Sequence, residues 1–189
     1  PATRYPEYAE PERVVNLPAF RIDRTEVSNS MFGPFARIAS LTGYSVPAYP
    51  REGLLASSGQ GASPAAAIDA FEAEAYCRYM GKRLPTDYEW TKAARGGLVL
   101  GGHSNPAPRR LYPWGSEFRP SCVNISGDTD GHEWVAPVDS LVCGASPYGV
   151  LNLAGNIAEW IARTGQTDSD STLRVVRGGA VDSPPELEQ

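Results

Sequence analysis

Two segments of the chain gather oxygen ligands closely enough to do metal chemistry. In CVNISGDTDGHEW (residues 122–134), Asn124, Asp128 and Asp130 place an amide and two carboxylates among glycines. Glycine frees the backbone to turn carbonyls inward, and hard cations such as Ca²⁺ take roughly six to eight oxygens. The spacing is not that of an EF-hand loop, which closes on a bidentate glutamate. In NLAGNIAEW (residues 152–160), Asn152, Asn156 and Glu159 flank Gly155. Residue types alone leave two readings open there: a cation site, or an Asx-turn scaffold whose side chains bond their own backbone.

Other chemistries are poorly supplied. The two histidines, His103 and His132, stand in polar loops, outside any HExxH pattern and away from a Cys pair, which argues against a zinc hydrolase. No G-x-S-x-G elbow marks a serine nucleophile, and no glycine-rich cradle for nucleotide phosphates follows a strand. Cys77 lies in an apolar helical pattern and is expected to be a plain buried thiol. Cys122 and Cys143 fall in turn-rich stretches, where pairing and separation are both open. The compartment, cytoplasmic or exported, therefore stays open too. Arg109–Arg110 is expected to be solvated. Trp90, Trp114, Trp134 and Trp160 are expected in the core rather than in a base-stacking platform.

These residues need elements to position them. Residues 14–27 suggest a strand pair or a strand and turn, with Ile22, Arg24 and Glu26 alternating. Ser28 and Asn29 can cap a helix carrying Met31, Phe32, Phe35, Ile38 and Ala39 at helical spacing, with Gly43 as its stop. Pro34 is expected to be tolerated in its first turns. Residues 44–64 lack a period and suggest a long surface loop. A second helix places Ile68, Phe71, Ala75, Tyr76 and Tyr79 on one face, with Glu72 and Glu74 off it, and Gly81 as a left-handed stop. LPTDYEW is the sharpest local signal: Thr86 and Glu89 form a capping box opening a helix over 87–95, closed by Gly96–Gly97. Residues 98–150 show only short extended pieces between turns, a length of irregular chain that is usually functional or ion-stabilised. RVVRGG reads as a short strand entering a glycine turn, and the last ten residues look frayed.

With 41% hydrophobic residues over 189 positions, the chain can bury a core as one domain. The net charge of −5 argues against nucleic acid as a partner. No apolar run approaches the roughly 20 residues of a membrane span. The chain opens at Pro1 rather than methionine, so it is expected to be a processed or excised piece, clipped at both ends.

FRIDRTEVSNSMFGPF, AYCRYMGKRLPTDYEWTKAARGG, YPWG, APVDS, YGVLNLAGNIAEW and RVVRGG follow one another in an order and rough spacing that resemble the formylglycine-generating enzyme (sulfatase-modifying factor) family, from about Arg13 to Gly179. The resemblance implies an α+β domain with much irregular structure, a compact variant of the C-type-lectin-like fold. It implies two Ca²⁺ sites: side chains of Asn124 and Asp130 with carbonyls of Ile125 and His132, and side chains of Asn152 and Glu159 with carbonyls of Gly155 and Ile157. The family's enzymes oxidise a substrate cysteine to formylglycine with copper held by two cysteines just after the RGG turn, and a thiolate pair suits Cu(I). Here that block is AVDSPPELEQ (residues 180–189), without cysteine, so copper is not expected. Relatives that use iron for sulfoxide chemistry draw a histidine triad from an added helical domain, which these residues do not contain.

The resemblance therefore points to a non-catalytic relative that binds a protein, peptide or glycan. Such relatives serve as sensory or accessory domains of bacterial multidomain proteins, including kinases, or as variable ligand-binding proteins. A truncated copper-dependent oxidoreductase and a purely structural module are the alternatives.

Overall fold

A computed structural model describes residues 14–41, 61–126, 130–132, 134–162 and 174–182. Among these described residues the fold is α+β: three α-helices beside two small antiparallel sheets, joined by long irregular stretches.

Helix α1, Asn29–Leu41, packs on α2, Ala70–Tyr79, through an aromatic cluster. Phe32, Phe35 and Tyr76 hold their ring centroids 5.4–5.5 Å apart, a spacing at which tilted and edge-on rings attract. The start of α1 is capped by main chain rather than by the expected side chains. Asn29 and Ser30 donate their N–H groups to the carbonyls of Ser63 and Gly61 at 2.8 and 3.0 Å, satisfying donors that a helix start leaves free. Pro34 is the sixth residue of α1, beyond the free first turn, so the Ser30 carbonyl lacks its usual donor four residues on.

The expected apolar face of α2 needs correction. Glu72 is buried while Phe71 and Tyr79 are exposed. Capping is the cause: Glu72 donates its N–H to Asp69 at 2.8 Å and accepts the Asp69 N–H at 2.7 Å, which draws its carboxylate to the helix start. Gly81 has φ +68° after this helix, the left-handed stop that was expected.

Helix α3, Asp87–Arg95, has the limits and capping box foreseen for it, and Gly96 follows at φ +88°. The Glu89 carboxylate accepts from Thr86 N at 2.8 Å and from both Arg83 guanidinium nitrogens at 2.7 Å. That bidentate ion pair, with the Thr86 bonds, holds the Glu89 pKa down to about 2 against its own burial. At the other end of α3, buried Asn105 donates to the carbonyls of Arg95 and Gly97.

Strands β1, Val99–Leu100, and β2, His103–Ser104, form a hairpin. Its turn, Gly101–Gly102, takes φ of +56° and +84°, the geometry a two-residue hairpin favours. Strands β3, Glu159–Ile161, and β4, Val175–Arg177, pair antiparallel with Trp160 opposite Val176. The β3 end is tied to the α3 cap by Ala162 N–H donating to Pro85 O at 2.7 Å.

Three further expectations fail wholly or in part. Residues 14–27 form no strand ladder; their described main-chain contacts are single bonds, Ala65 N–H to Val27 O and Leu151 N–H to Arg24 O, both at 2.8 Å. Arg110 is buried, not solvated, donating to Ala107 O and Asn105 Oδ1. Trp134 is exposed rather than in the core, whereas Trp90 and Trp114 pack half-buried against core clusters as expected, and Trp160 is half-buried. Of the long surface loop, residues 44–60 lie outside the described residues, as do Gly43, Asp128 and residues 183–189.

Candidate metal centre

Three distant stretches of chain meet at one main-chain junction. Asn156 N–H donates to Asn124 O at 2.7 Å, Gly155 N–H to Gly178 O at 2.6 Å, and Val181 N–H to Asn156 O at 2.9 Å. A Cβ at Gly155 would sit 2.2 Å from the Asn124 carbonyl oxygen, and its φ is +69°, so only glycine fits. Asn152 and Asn156 also have positive φ, +56° and +63°, a region asparagine enters more readily than most residues. The run 152–156 is therefore a tightly wound turn that holds Asn152 and Asn156 inside.

Of the first expected ligand set, Asn124 is fully buried and Ile125 is 4% exposed. The Asn124 Nδ2 donates to Trp134 O at 2.7 Å and to Asn156 Oδ1 at 3.2 Å. Its Oδ1, on the opposite side of the planar amide, accepts no hydrogen bond among the described residues. Asp130 Oδ1 accepts the His132 N–H at 3.1 Å, whereas its Oδ2 is likewise buried without a described partner. An orphaned buried acceptor costs about 1–3 kcal/mol, more when charged. Two such oxygens fit a hard cation.

The second set is held by a residue that the sequence reading left out, Glu26. Buried at 6% exposure, its carboxylate accepts from Asn152 Nδ2 at 2.8 Å and from Asn156 Nδ2 at 3.0 Å. Burial first, and the charge of Glu159 second, push the Glu26 pKa up to about 8, against the N–H donors of Asn152, Asn156 and Ile157. Glu159 is raised to about 7 by burial, opposed by the bond from Trp90 Nε1. Neither carboxylate has a cationic partner among the described side chains, so positive charge is what this corner lacks. A signal for Glu26 existed: it shares the inward alternation of Ile22. Arg24, between them on the same alternation, is exposed, so the pattern alone does not mark Glu26 as buried.

Of the eight expected ligand residues, Asn124, Asn152 and Gly155 belong to this bonded junction, Glu159 lies near enough for its charge to act on Glu26, and Asp130 and His132 are bonded to each other. Among the described residues no group of three or more His, Cys, Asp or Glu side chains is placed to hold a metal ion. Each expected set thus offers one carboxylate with amide and main-chain carbonyl oxygens, donors that would suit Ca²⁺ better than softer metals.

A cavity of about 710 Å³ adjoins Glu26 and Glu159, with Trp90, Tyr76, Cys77 and Lys82 in its wall. Cys77 is only part-buried, and burial pushes its thiol pKa up, so it is a poor nucleophile. Cys122 and Cys143 form a disulfide with Cα atoms 5.1 Å apart.

Residues 2–188 match the Sulfatase-modifying factor enzyme 1-like domain. The chain belongs to the formylglycine-generating enzyme family. It is 39% identical over 117 residues to the inactive C-alpha-formylglycine-generating enzyme 2 of Bos taurus, covering 58% of this chain and 35% of that protein. It is 32% identical over 217 residues to the formylglycine-generating enzyme of Thermomonospora curvata, covering 89% and 68%. With the hercynine oxygenase of Mycolicibacterium smegmatis it shares 34% over 177 residues, 79% of this chain and 38% of that protein. The chain thus spans little more than a third of the bovine and mycobacterial proteins. Among solved structures, that of CarF superposes with a TM-score of 0.62 at 20% identity, over 88% of this chain and 77% of that one. This supports the expected fold for the family domain.

Proposed function

We propose that this chain is a non-catalytic formylglycine-generating-enzyme-like domain, braced by Ca²⁺ at two sites, that binds a protein, peptide or glycan as a sensory or accessory part of a bacterial multidomain protein. One observation carries the non-catalytic reading. Copper oxidation in this family needs a free thiol pair, and of the three cysteines in the sequence two are joined to each other, leaving Cys77 alone. The likeness to a relative named inactive supports the same reading.

For the cations, the support is the pair of orphaned oxygens on Asn124 and Asp130 and the uncompensated carboxylates Glu26 and Glu159. Asn124, Ile125, Asp130 and His132 would hold one ion, and Asn152, Gly155, Ile157 and Glu159 the other. Bound there, Ca²⁺ supplies charge and coordination, lowering the free energy of the folded state by mass action. The residues themselves do the rest: the Gly155 junction fixes the backbone, and Glu26 orients the amides. Exposed Val175 and Val176 on β4 offer contact area to a ligand. No described helix is long and apolar enough to cross a membrane.

The similarity to the Thermomonospora curvata enzyme over most of this chain favours a second reading, a copper-dependent oxidoreductase acting on a peptide cysteine. One experiment separates the two. The chain is loaded with Cu(I) and incubated in air with a thiol reductant, which supplies the second electron pair that O₂ takes, and a Cys-x-Pro-x-Arg peptide, and the products are read by mass spectrometry. The non-catalytic reading expects no formylglycine and no Cu(I) held against a competing chelator. Aldehyde formation on the peptide overturns it.

A further inference from the structure

We propose that Glu26 is a positioning residue that makes the two cation sites one coupled unit. The inference rests on the calcium reading above and adds to it a residue outside both ligand sets.

The observation is a continuous chain of side-chain bonds. Glu26 Oε2 accepts from Asn152 Nδ2 at 2.8 Å, and both of its oxygens accept from Asn156 Nδ2 at 3.0 Å. Asn156 Oδ1 then accepts from Ala136 N–H at 2.8 Å and from Asn124 Nδ2 at 3.2 Å. Asn152 belongs to one site and Asn124 to the other. Each link is buried: Glu26, Asn124, Asn152 and Asn156 are all at most 6% exposed.

The direction of this relay follows from what each group can do. With a cation bound beside it Glu26 is ionised, and an ionised carboxyl only accepts, whereas an amide donates on one side and accepts on the other. Glu26 therefore compels Asn152 and Asn156 to present nitrogen to it. Asn156 then offers its oxygen to Asn124, whose nitrogen is drawn in and whose oxygen is left facing away. That oxygen is the orphaned Oδ1. A cation wants oxygen, and an amide turned the other way would offer it hydrogens. By fixing one carboxylate, the chain orients ligating amides at both sites. An ion at either site stiffens the shared relay and lowers the ordering cost at the other.

A glutamine at position 26 has a donor as well as an acceptor, so at least one amide of the relay must turn over. Residues that orient metal ligands typically cost about 10–100-fold in affinity when changed. Calcium titration calorimetry on the chelator-stripped chain, with melting curves in calcium and in excess chelator, tests the proposal. Wild type is expected to bind two ions. Glu26→Gln is expected to weaken both by about tenfold or more, yet to melt in chelator no lower than wild type, because it removes a buried carboxyl. A purely structural role would instead lower the melting point in chelator. Asp130→Ala, which leaves Glu26 intact, keeps the test available should Glu26→Gln not fold. It is expected to delete one ion and weaken the other about fivefold or more. Two ions bound at wild-type affinity by Glu26→Gln, or an undisturbed second site in Asp130→Ala, overturns the relay alone. A wild-type chain that binds no calcium overturns the relay and the calcium reading together.

Discussion

Glu89→Gln isolates the ion pair that closes the start of α3. The side chain is 4% exposed and takes four bonds: two from Arg83 at 2.7 Å, one from Thr86 N at 2.8 Å and one from Thr86 Oγ1 at 3.0 Å. Glutamine keeps the volume and one accepting oxygen, but turns an amide N–H₂ toward a guanidinium. The wild-type carboxyl is lowered from 4.5 to about 2 on folding. At about 1.4 kcal/mol per unit that difference amounts to about 3 kcal/mol. Arg83 is 62% exposed, so solvent screens its half of the pair, and about 2 kcal/mol is the expected loss at neutral pH. Because the folded pKa lies below the unfolded one, the contribution is complete above pH 4.5 and disappears as the pH falls toward 2. Urea denaturation of both proteins between pH 7 and pH 2 reads it directly. Their stability difference is expected to be flat down to about pH 5 and then to shrink, whatever the other carboxylates do in common. A difference below about 0.5 kcal/mol at pH 7, within the range of an ordinary exposed pair, or one that does not change with acid, refutes the reasoning.

Chelation is expected to lower the melting midpoint, with Asp130→Ala and Glu159→Ala each reproducing part of the fall in differential scanning calorimetry; equal midpoints in calcium and chelator remove the ions from the account. Gly155→Ala forces a methyl to within 2.2 Å of the Asn124 carbonyl at a φ of +69°, and an expected loss of more than about 2 kcal/mol is checked by equilibrium denaturation. Cys122→Ser with Cys143→Ser opens a crosslink spanning 21 residues of sequence, for which loop entropy predicts about 3 kcal/mol, read as the shift in urea midpoint.

The parts legible in the sequence are those whose cause is local. The limits of α3 came from Thr86 with Glu89 at its start and Gly96 at its end, each acting within a turn of the end it sets, and Gly81 ended α2 for the same reason. Glu72 was misplaced because two local rules competed: amphipathic spacing put it outside, and the Asp69 cap drew it in. The failed strand at 14–27 depends on partners far along the chain, such as Leu151 for Arg24, whereas Arg110 is drawn in by a near neighbour, Asn105, whose own burial is not marked by its residue type. In the metal centre, the clustering of Asn124, Asp130, Asn152 and Glu159 was visible as composition, and family likeness sorted them into two sets. Glu26 was not, because its meaning lies in amides 126 and 130 residues away.

The junction at Gly155 also bears on the order in which the chain assembles. Helical bonds close over four residues, whereas Glu26 must find Asn156 across 130 residues and Trp90 must find Glu159 across 69. Contacts of such long range form slowly. The helical half is therefore expected to gain protection early in pulsed hydrogen exchange, and the amides of Gly155, Asn156 and Val181 last. Until that late step the proposed ligand sets are not held in place, so a cation bound there would act as a lock on a finished fold rather than as a seed for it.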